Sequence, residues 1–143
     1  MSDAAGIIVL IGRILFSLFF INTGLGFHVR SSRQAEEYAR AMGWPVPAVA
    51  GWPAGLWLGL GALSIALGIW PDVGTLMIGL FVIFAGLWFH RFWAIEDADQ
   101  KMTQMQLFFR NVITLGAVLI MFGFFVAAGE GLRYTITGPL FSF

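Results

Sequence analysis

The side chains able to do polar chemistry are few and crowded into one region. The stretch from Phe84 to Asn111 reads FAGLWFHRFWAIEDADQKMTQMQLFFRN. It closes an apolar run with His90-Arg91-Phe92-Trp93, crosses an acidic loop carrying Glu96, Asp97 and Asp99, and opens a second apolar run with Gln104, Gln106, Arg110 and Asn111. His28 ends the first apolar run of the chain. A quinone head group needs a donor for each carbonyl and an apolar slot for its tail. His90, Arg91, Gln104 and Arg110 can donate, and Trp93 with Trp88, Phe89, Phe92, Phe108 and Phe109 can form the slot. Asp97 is placed to pair with His90, Arg91 or Arg110 across the hairpin. Two other readings fit the same residues. The histidines and aromatics also suit the ordinary belt at membrane–water interfaces, and paired histidines can serve as axial ligands of a haem. The haem is disfavoured because neither histidine falls within a long apolar helix. The sequence leaves the cofactor open: the interfacial belt accounts for these residues, and a quinone fits them better than a haem if one binds, with no catalytic residue assigned and no metal site expected.

The elements that must position these residues are membrane spans. Of 143 residues, 59% are hydrophobic and 11% charged, well above the roughly 45–50% apolar share of soluble domains. Lys+Arg and Asp+Glu are 8 each, so no net field points to nucleic acid. Cysteine is absent, which removes a thiol relay, a disulfide framework and an iron–sulfur cluster. Apolar stretches at about residues 6–27, 51–70, 73–93 and 105–128 each approach the ~20 residues that cross a bilayer. The first is too long for a signal-peptide core and is expected to be a retained helix. The fold class expected is all-α: a four-transmembrane-helix bundle in one domain over residues 1–143, with a short interfacial helix in the first loop. In that helix Ser32 is the expected cap, Gly43 the stop, and Glu36 and Arg40 an i,i+4 pair. Pro71-Asp72 makes the next pair of helices antiparallel neighbours.

Polar residues within the spans have structural expectations. Arg13 lacks an acid at its depth, so it should reach back toward the terminal face of the bundle, where Asp3, Asp72 and Glu130 lie, or contact an anionic head group. Asn22 is expected to hydrogen-bond between helices, and Asn111 to contribute to the polar mouth. Gly51, Gly55 and Gly59, spaced by four, and the pairs Gly61/Gly68, Gly79/Gly86 and Gly116/Gly123, spaced by seven, are expected on close-packed helix faces. The first and third spans run in the same direction, so His28 and His90 should emerge on one side of the membrane.

Gly12-Arg13, Tyr38-Ala39 with Gly43-Trp44-Pro45-Val46-Pro47, Phe89-His90-Arg91-Phe92-Trp93-Ala94, and Gln104-Met105 with Phe108, Arg110 and Asn111 resemble the DoxX family. The resemblance implies a small four-helix prokaryotic membrane protein linked to membrane redox chemistry. Relatives include a subunit of a thiosulfate:quinone oxidoreductase and a partner of a superoxide dismutase and a sulfurtransferase. Many members carry an acid in the second span, where this chain reads Gly55-Leu56-Trp57-Leu58-Gly59. That departure favours a non-catalytic accessory or scaffold subunit of a membrane redox or respiratory-type complex over a quinone-linked oxidoreductase subunit acting on thiosulfate or thiols. A small-molecule carrier ranks third, because the spans lack acids and broken-helix signals. The partners expected are the lipid bilayer and other membrane or cytoplasmic subunits, with no nucleic acid.

Arg30, Arg33, Arg40, Arg91 and Lys101 lie on the long-loop side, and the opposite side has little beyond Arg133. Such a bias places both long loops in the cytoplasm and both termini outside the plasma membrane. A reporter fused after Phe143 should accordingly behave as non-cytoplasmic; cytoplasmic activity of that fusion would reverse the assignment.

Overall fold

The computed structural model describes residues 1–141, and every element longer than a turn in them is helical. Helix α1 is Asp3–Thr23 and continues without a break into a π-helical segment, Gly24–Arg30. Helix α2 is Ser32–Ala41. A 3-10 turn, Pro47–Ala50, leads into α3, Trp52–Leu67. Helix α4, Pro71–Phe84, also passes into a π-helical segment, Ala85–Phe89, and a 3-10 turn, Phe92–Ala94, precedes α5, Ala98–Ala128. Counting flanking turns, four helices are long and apolar enough to cross a membrane: Asp3–Arg30, Pro47–Leu67, Pro71–Ala94 and Ala98–Gly131. The chain is therefore a multi-pass, all-helical membrane protein, with the expected short helix in its first loop.

Helix α5 begins earlier than the hydropathy pattern suggests. Asp97 accepts a hydrogen bond from the Gln100 amide at 2.9 Å and caps it, as carboxylates do at a helix N-terminus. At about 1.5 Å per residue, its polar first turns extend beyond a ~30 Å hydrocarbon core. Asp97 thus pairs with none of His90, Arg91 or Arg110, because its carboxylate is committed to the cap. In α2, Gly43 (φ 71) ends the helix as expected. Trp44 N–H bonds to Ala39 O and Gly43 N–H to Arg40 O, the paired bonds of a left-handed glycine stop. The ion pair on α2 is Arg33–Glu37, whereas Glu36 accepts from Ser32 Oγ; the expected Glu36–Arg40 pair does not form. Ala35 and Ala39 are buried, so α2 packs its small face on the end of the bundle.

Helix α3 packs on α1 and α4, and α4 packs on α5; α1 and α5 pack on each other far less. The core runs along the α3–α4 seam and includes Phe20, Leu58, Ile65, Ile78, Val82, Val118 and Phe125. Large apolar side chains point outward, Ile113 and Ile120 among the most exposed, as lipid-facing surfaces require. Gly61 and Gly74 sit where α3 and α4 cross: a Cβ on Gly74 would stand 2.6 Å from Gly61 O. Gly116 and Gly123, in contrast, have no neighbour within 4 Å of an added Cβ, so this seven-residue pair faces away from the bundle. Gly68 ends α3 in the left-handed region (φ 67) and serves as a helix stop instead of a packing stripe.

The terminus-side end of α3 shows what packing demands of a backbone. The last carbonyls of a helix lack intrahelical partners, and where they are buried each must find another donor. Ser64 O accepts from the Gly68 and Ile69 amides. Arg13 takes Ile65 O (Nε, 2.8 Å) and Ala66 O (Nη2, 2.8 Å). Leu67 O accepts from the Ile136 amide, and Gly68 O from the amides of Thr137 and Gly138. Arg13 is 2% exposed and also bonds to the carbonyls of Tyr134 (2.9 Å) and Arg133 (3.4 Å). Its partners are thus backbone carbonyls, in place of the expected acids or an anionic head group. A helix C-terminus carries partial negative charge, which supplies the counter-charge. Charge-assisted bonds worth about 1.5–3 kcal/mol each outweigh the ~2.5–3.5 kcal/mol cost of a central Arg.

Leu132–Phe141 therefore forms a strap across that end of the bundle. Asp72, fully buried, accepts from the amides of Leu140 (2.9 Å) and Phe141 (2.7 Å) and ties the strap to the start of α4. Arg133 pairs with Asp3 at the start of α1. Asn22 is exposed and makes no interhelical bond among the described residues; it faces outward from α1. Asp72→Ala leaves two strap amides without acceptors and should cost about 2–4 kcal/mol, read as a lower thermal midpoint in detergent and faster proteolysis of the strap. Asn22→Ala should stay within about 0.5 kcal/mol of wild type.

Candidate functional site

At the loop end the packing opens into a cavity of about 950 Å³. Helix α1 contributes Phe19, Phe20, Thr23, Phe27 and His28; α3 contributes Pro53, Ala54 and Trp57; α4 and its π segment contribute Leu80, Phe81, Phe84, Ala85 and Phe89, followed by His90. Leu107, Arg110, Asn111 and Thr114 come from one face of α5, with the i, i+3, i+4, i+7 spacing of a helical stripe. Gln34, Ala35 and Tyr38 of α2 and Trp44 border it from the first loop. Phe19 of α1 and Thr114 of α5 both line it where these two helices face each other.

The first loop is latched over this space by side-chain bonds. Tyr38 Oη donates to Phe89 O (3.2 Å), Trp88 Nε1 to Met42 O (3.2 Å), and Arg91 Nη2 to the same Met42 O (3.3 Å). Burial pushes the Tyr38 phenol up, which keeps it a neutral donor. Trp44 packs edge-on to Trp88 (5.1 Å) and Phe84 (6.0 Å). Ser32 Oγ accepts from the Trp52 amide (3.0 Å), joining α2 to the start of α3.

The two histidines arrive in matching settings. Gly24-Leu25-Gly26-Phe27-His28 and Gly86-Leu87-Trp88-Phe89-His90 are a repeated Gly-Leu-x-Phe-His, and each lies in or directly follows a π-helical segment. Such segments recur at functional sites because the extra residue per turn re-aims side chains. His28, 8% exposed, has Nδ1 2.6 Å from Ala50 O and its ring edge-on to Phe81 at 5.5 Å. His90 Nδ1 lies 2.8 Å from Gln104 Oε1 on α5. The expected convergence of His28 and His90 at one end therefore holds. The reason for disfavouring a haem does not, since His28 belongs to a continuous apolar helix of 28 residues.

The residues expected to form the site separate into three groups. His90, Arg110 and Asn111 border the cavity, and Gln104 stands behind His90 as its hydrogen-bond partner. Arg110 lies over the Phe19 ring at 5.7 Å, and Asn111 Nδ2 donates back to Leu107 O at 3.1 Å. Arg91 does not border the cavity; it latches the loop and lies 5.8 Å over Trp88. Trp93 is 52% exposed and belongs to a separate cluster with Phe92 and Phe108. Of the aromatics expected in the slot, Phe89 is a lining residue. His28, expected on the same side as His90, lines the cavity with it; the wall of Phe19, Phe20, Phe27, Trp57, Phe81 and Phe84 was missed.

The DoxX family model matches residues 8–91, more than half of the chain. The chain belongs to the DoxX family. The match includes both histidines and Arg13, while the Gln104–Asn111 block lies beyond it. No curated protein and no solved structure matches the chain.

One close contact sets the position of His28. A Cβ on Gly55 would stand 2.8 Å from Gly24 O, 2.5 Å from Val29 Cγ2 and 3.1 Å from His28 Cβ. Gly59, one turn on, has nothing within 4 Å. Gly55→Ala should force α1 and α3 apart and cost about 1–3 kcal/mol by thermal denaturation. Gly59→Ala should be within about 0.5 kcal/mol of wild type.

Proposed function

We propose that this DoxX protein is a quinone-binding accessory subunit of a membrane redox complex. One observation carries the reading: a cavity of about 950 Å³ walled by aromatic rings and bordered by two imidazoles, a guanidinium and an amide. Ligand sites are commonly apolar cavities of about 300–1,000 Å³ with a few convergent polar groups. The side where α1 and α5 face each other suits an occupant whose tail stays in the bilayer. This moves the emphasis from a pure scaffold toward a binding subunit. The chain has no cysteine, so thiosulfate or thiol oxidation would fall to a partner, docked at the long loops. We place those loops in the cytoplasm of a prokaryote and the termini outside the plasma membrane, from the Lys/Arg bias.

A haem held by His28 and His90 is the second reading, favoured by the Nδ1 partners that both rings possess, as ligating histidines do. A Soret band in gently purified protein would replace the quinone reading with this one. Without such a band, a short-chain quinone analogue should bind the protein in nanodiscs and be displaced by extracted native quinone. Ala54→Trp should exclude it by filling the cavity. A complex that copurifies unchanged with His90→Ala, together with no detectable binding of the analogue, would leave the scaffold role alone standing.

A further inference from the structure

The hydrogen-bond inventory of the cavity selects an oxidation state for its occupant; this rests on the quinone reading and deepens it. A carbonyl oxygen accepts and cannot donate. Ala50 O at 2.6 Å therefore requires a proton on His28 Nδ1. Gln104 Oε1 at 2.8 Å stands in the same relation to His90 Nδ1 and pairs with it when that nitrogen carries the proton. A neutral imidazole protonated at Nδ1 carries its lone pair on Nε2. Neither Nε2 has a hydrogen-bond partner among the described residues, and both rings border the cavity.

What the two imidazoles offer, then, is acceptors. A quinone carbonyl is an acceptor too, and would set lone pair against lone pair. A ring hydroxyl is a donor and satisfies Nε2 directly. Arg110, also at the cavity, works in the same direction. The ion pairs among the described residues are Arg33–Glu37 and Arg133–Asp3, so its charge has no carboxylate partner there. A guanidinium favours the ring oxygen that bears negative charge, and phenolate character belongs to the hydroxyl form. We propose that the cavity is a quinol site, holding a dihydroxy-aromatic ring in preference to the corresponding dione. Gln104 is then a positioning residue, setting which nitrogen of His90 meets the ligand without touching it.

The test is a pair of anaerobic titrations of the full chain in nanodiscs, one with a short-chain quinone analogue and one with the same compound kept reduced by dithionite. The quinol should bind at least about tenfold more tightly, as an added hydrogen bond would give. Gln104→Met, which removes the acceptor behind His90, should narrow that ratio. Gln104→Glu, which keeps an acceptor there, should preserve it. Loss of fold would lower both affinities together, whereas the tautomer argument moves their ratio. Equal or tighter quinone binding would overturn the quinol preference and leave the quinone reading intact. A ratio unchanged in Gln104→Met would overturn the role given to Gln104 and His90. Binding of neither form would overturn this inference and the reading beneath it.

Discussion

The carbonyl end of α3 is the constraint from which the rest of the architecture follows. The last carbonyls of a helix lack intrahelical partners, and where the end is packed within the protein each must be met by a donor from the chain itself. Arg13 meets the carbonyls of Ile65 and Ala66, and a returning strap meets those of Leu67 and Gly68. That arrangement explains three features at once. An arginine is tolerated in the first span without an acid at its depth, because four carbonyls surround its guanidinium. The chain continues past the last span, because the strap is needed as a donor. Asp72 is buried at the start of α4, because the amides of the strap need an acceptor in turn.

The bundle is consequently unlike at its two ends. The terminus side is closed by backbone hydrogen bonds, with glycine contacts holding α3 against α4. The loop side stays hollow, with aromatic side chains forming walls and α2 lying across the end. The transition falls where α1 and α4 loosen into π-helical segments, and both histidines appear at or just past it. Gly24 and Gly55 fix how closely α1 and its π segment approach α3, and the rings of Phe27, Trp57 and Phe81 line the cavity beside that contact.

Much of this was legible in the sequence, and the exceptions share a cause. Four spans and a short loop helix follow from apolar run length and from Gly43, both properties of local residue type. The shared side of His28 and His90 follows from counting crossings. The partners of Arg13 were not legible, because a backbone carbonyl leaves no mark in residue identity; a search for acids could not find them. Asp97 was misassigned for a related reason: a carboxylate at the start of a helix has a partner in the helix's own amides before any distant cation. Seven-residue glycine spacing says that two residues share a stripe but not what lies opposite. Gly79 and Gly86 meet α5, while Gly116 and Gly123 on α5 meet nothing within the chain. Arg91 and Trp93 had the right chemistry for a head group but lie past the π segment, where the chain has already turned away from the cavity.

The same asymmetry bears on the carrier reading. A carrier must expose its site alternately on both sides of the membrane. Here the cavity is at the loop end, and opening the opposite end would break the carbonyl bonds of Arg13 and the amide bonds of Asp72 together. At about 1.5–3 kcal/mol for each bond to a charged group, that sums to on the order of 10 kcal/mol. Conformational equilibria in working proteins differ by a few kcal/mol, so a rocking motion that unseals this end has no ready source of energy. The acids of the spans, Asp3, Asp72, Asp99 and Glu130, all stand at helix ends, and Asp72 is already committed to the strap. A closed end and a hollow end suit a site that is reached from one side.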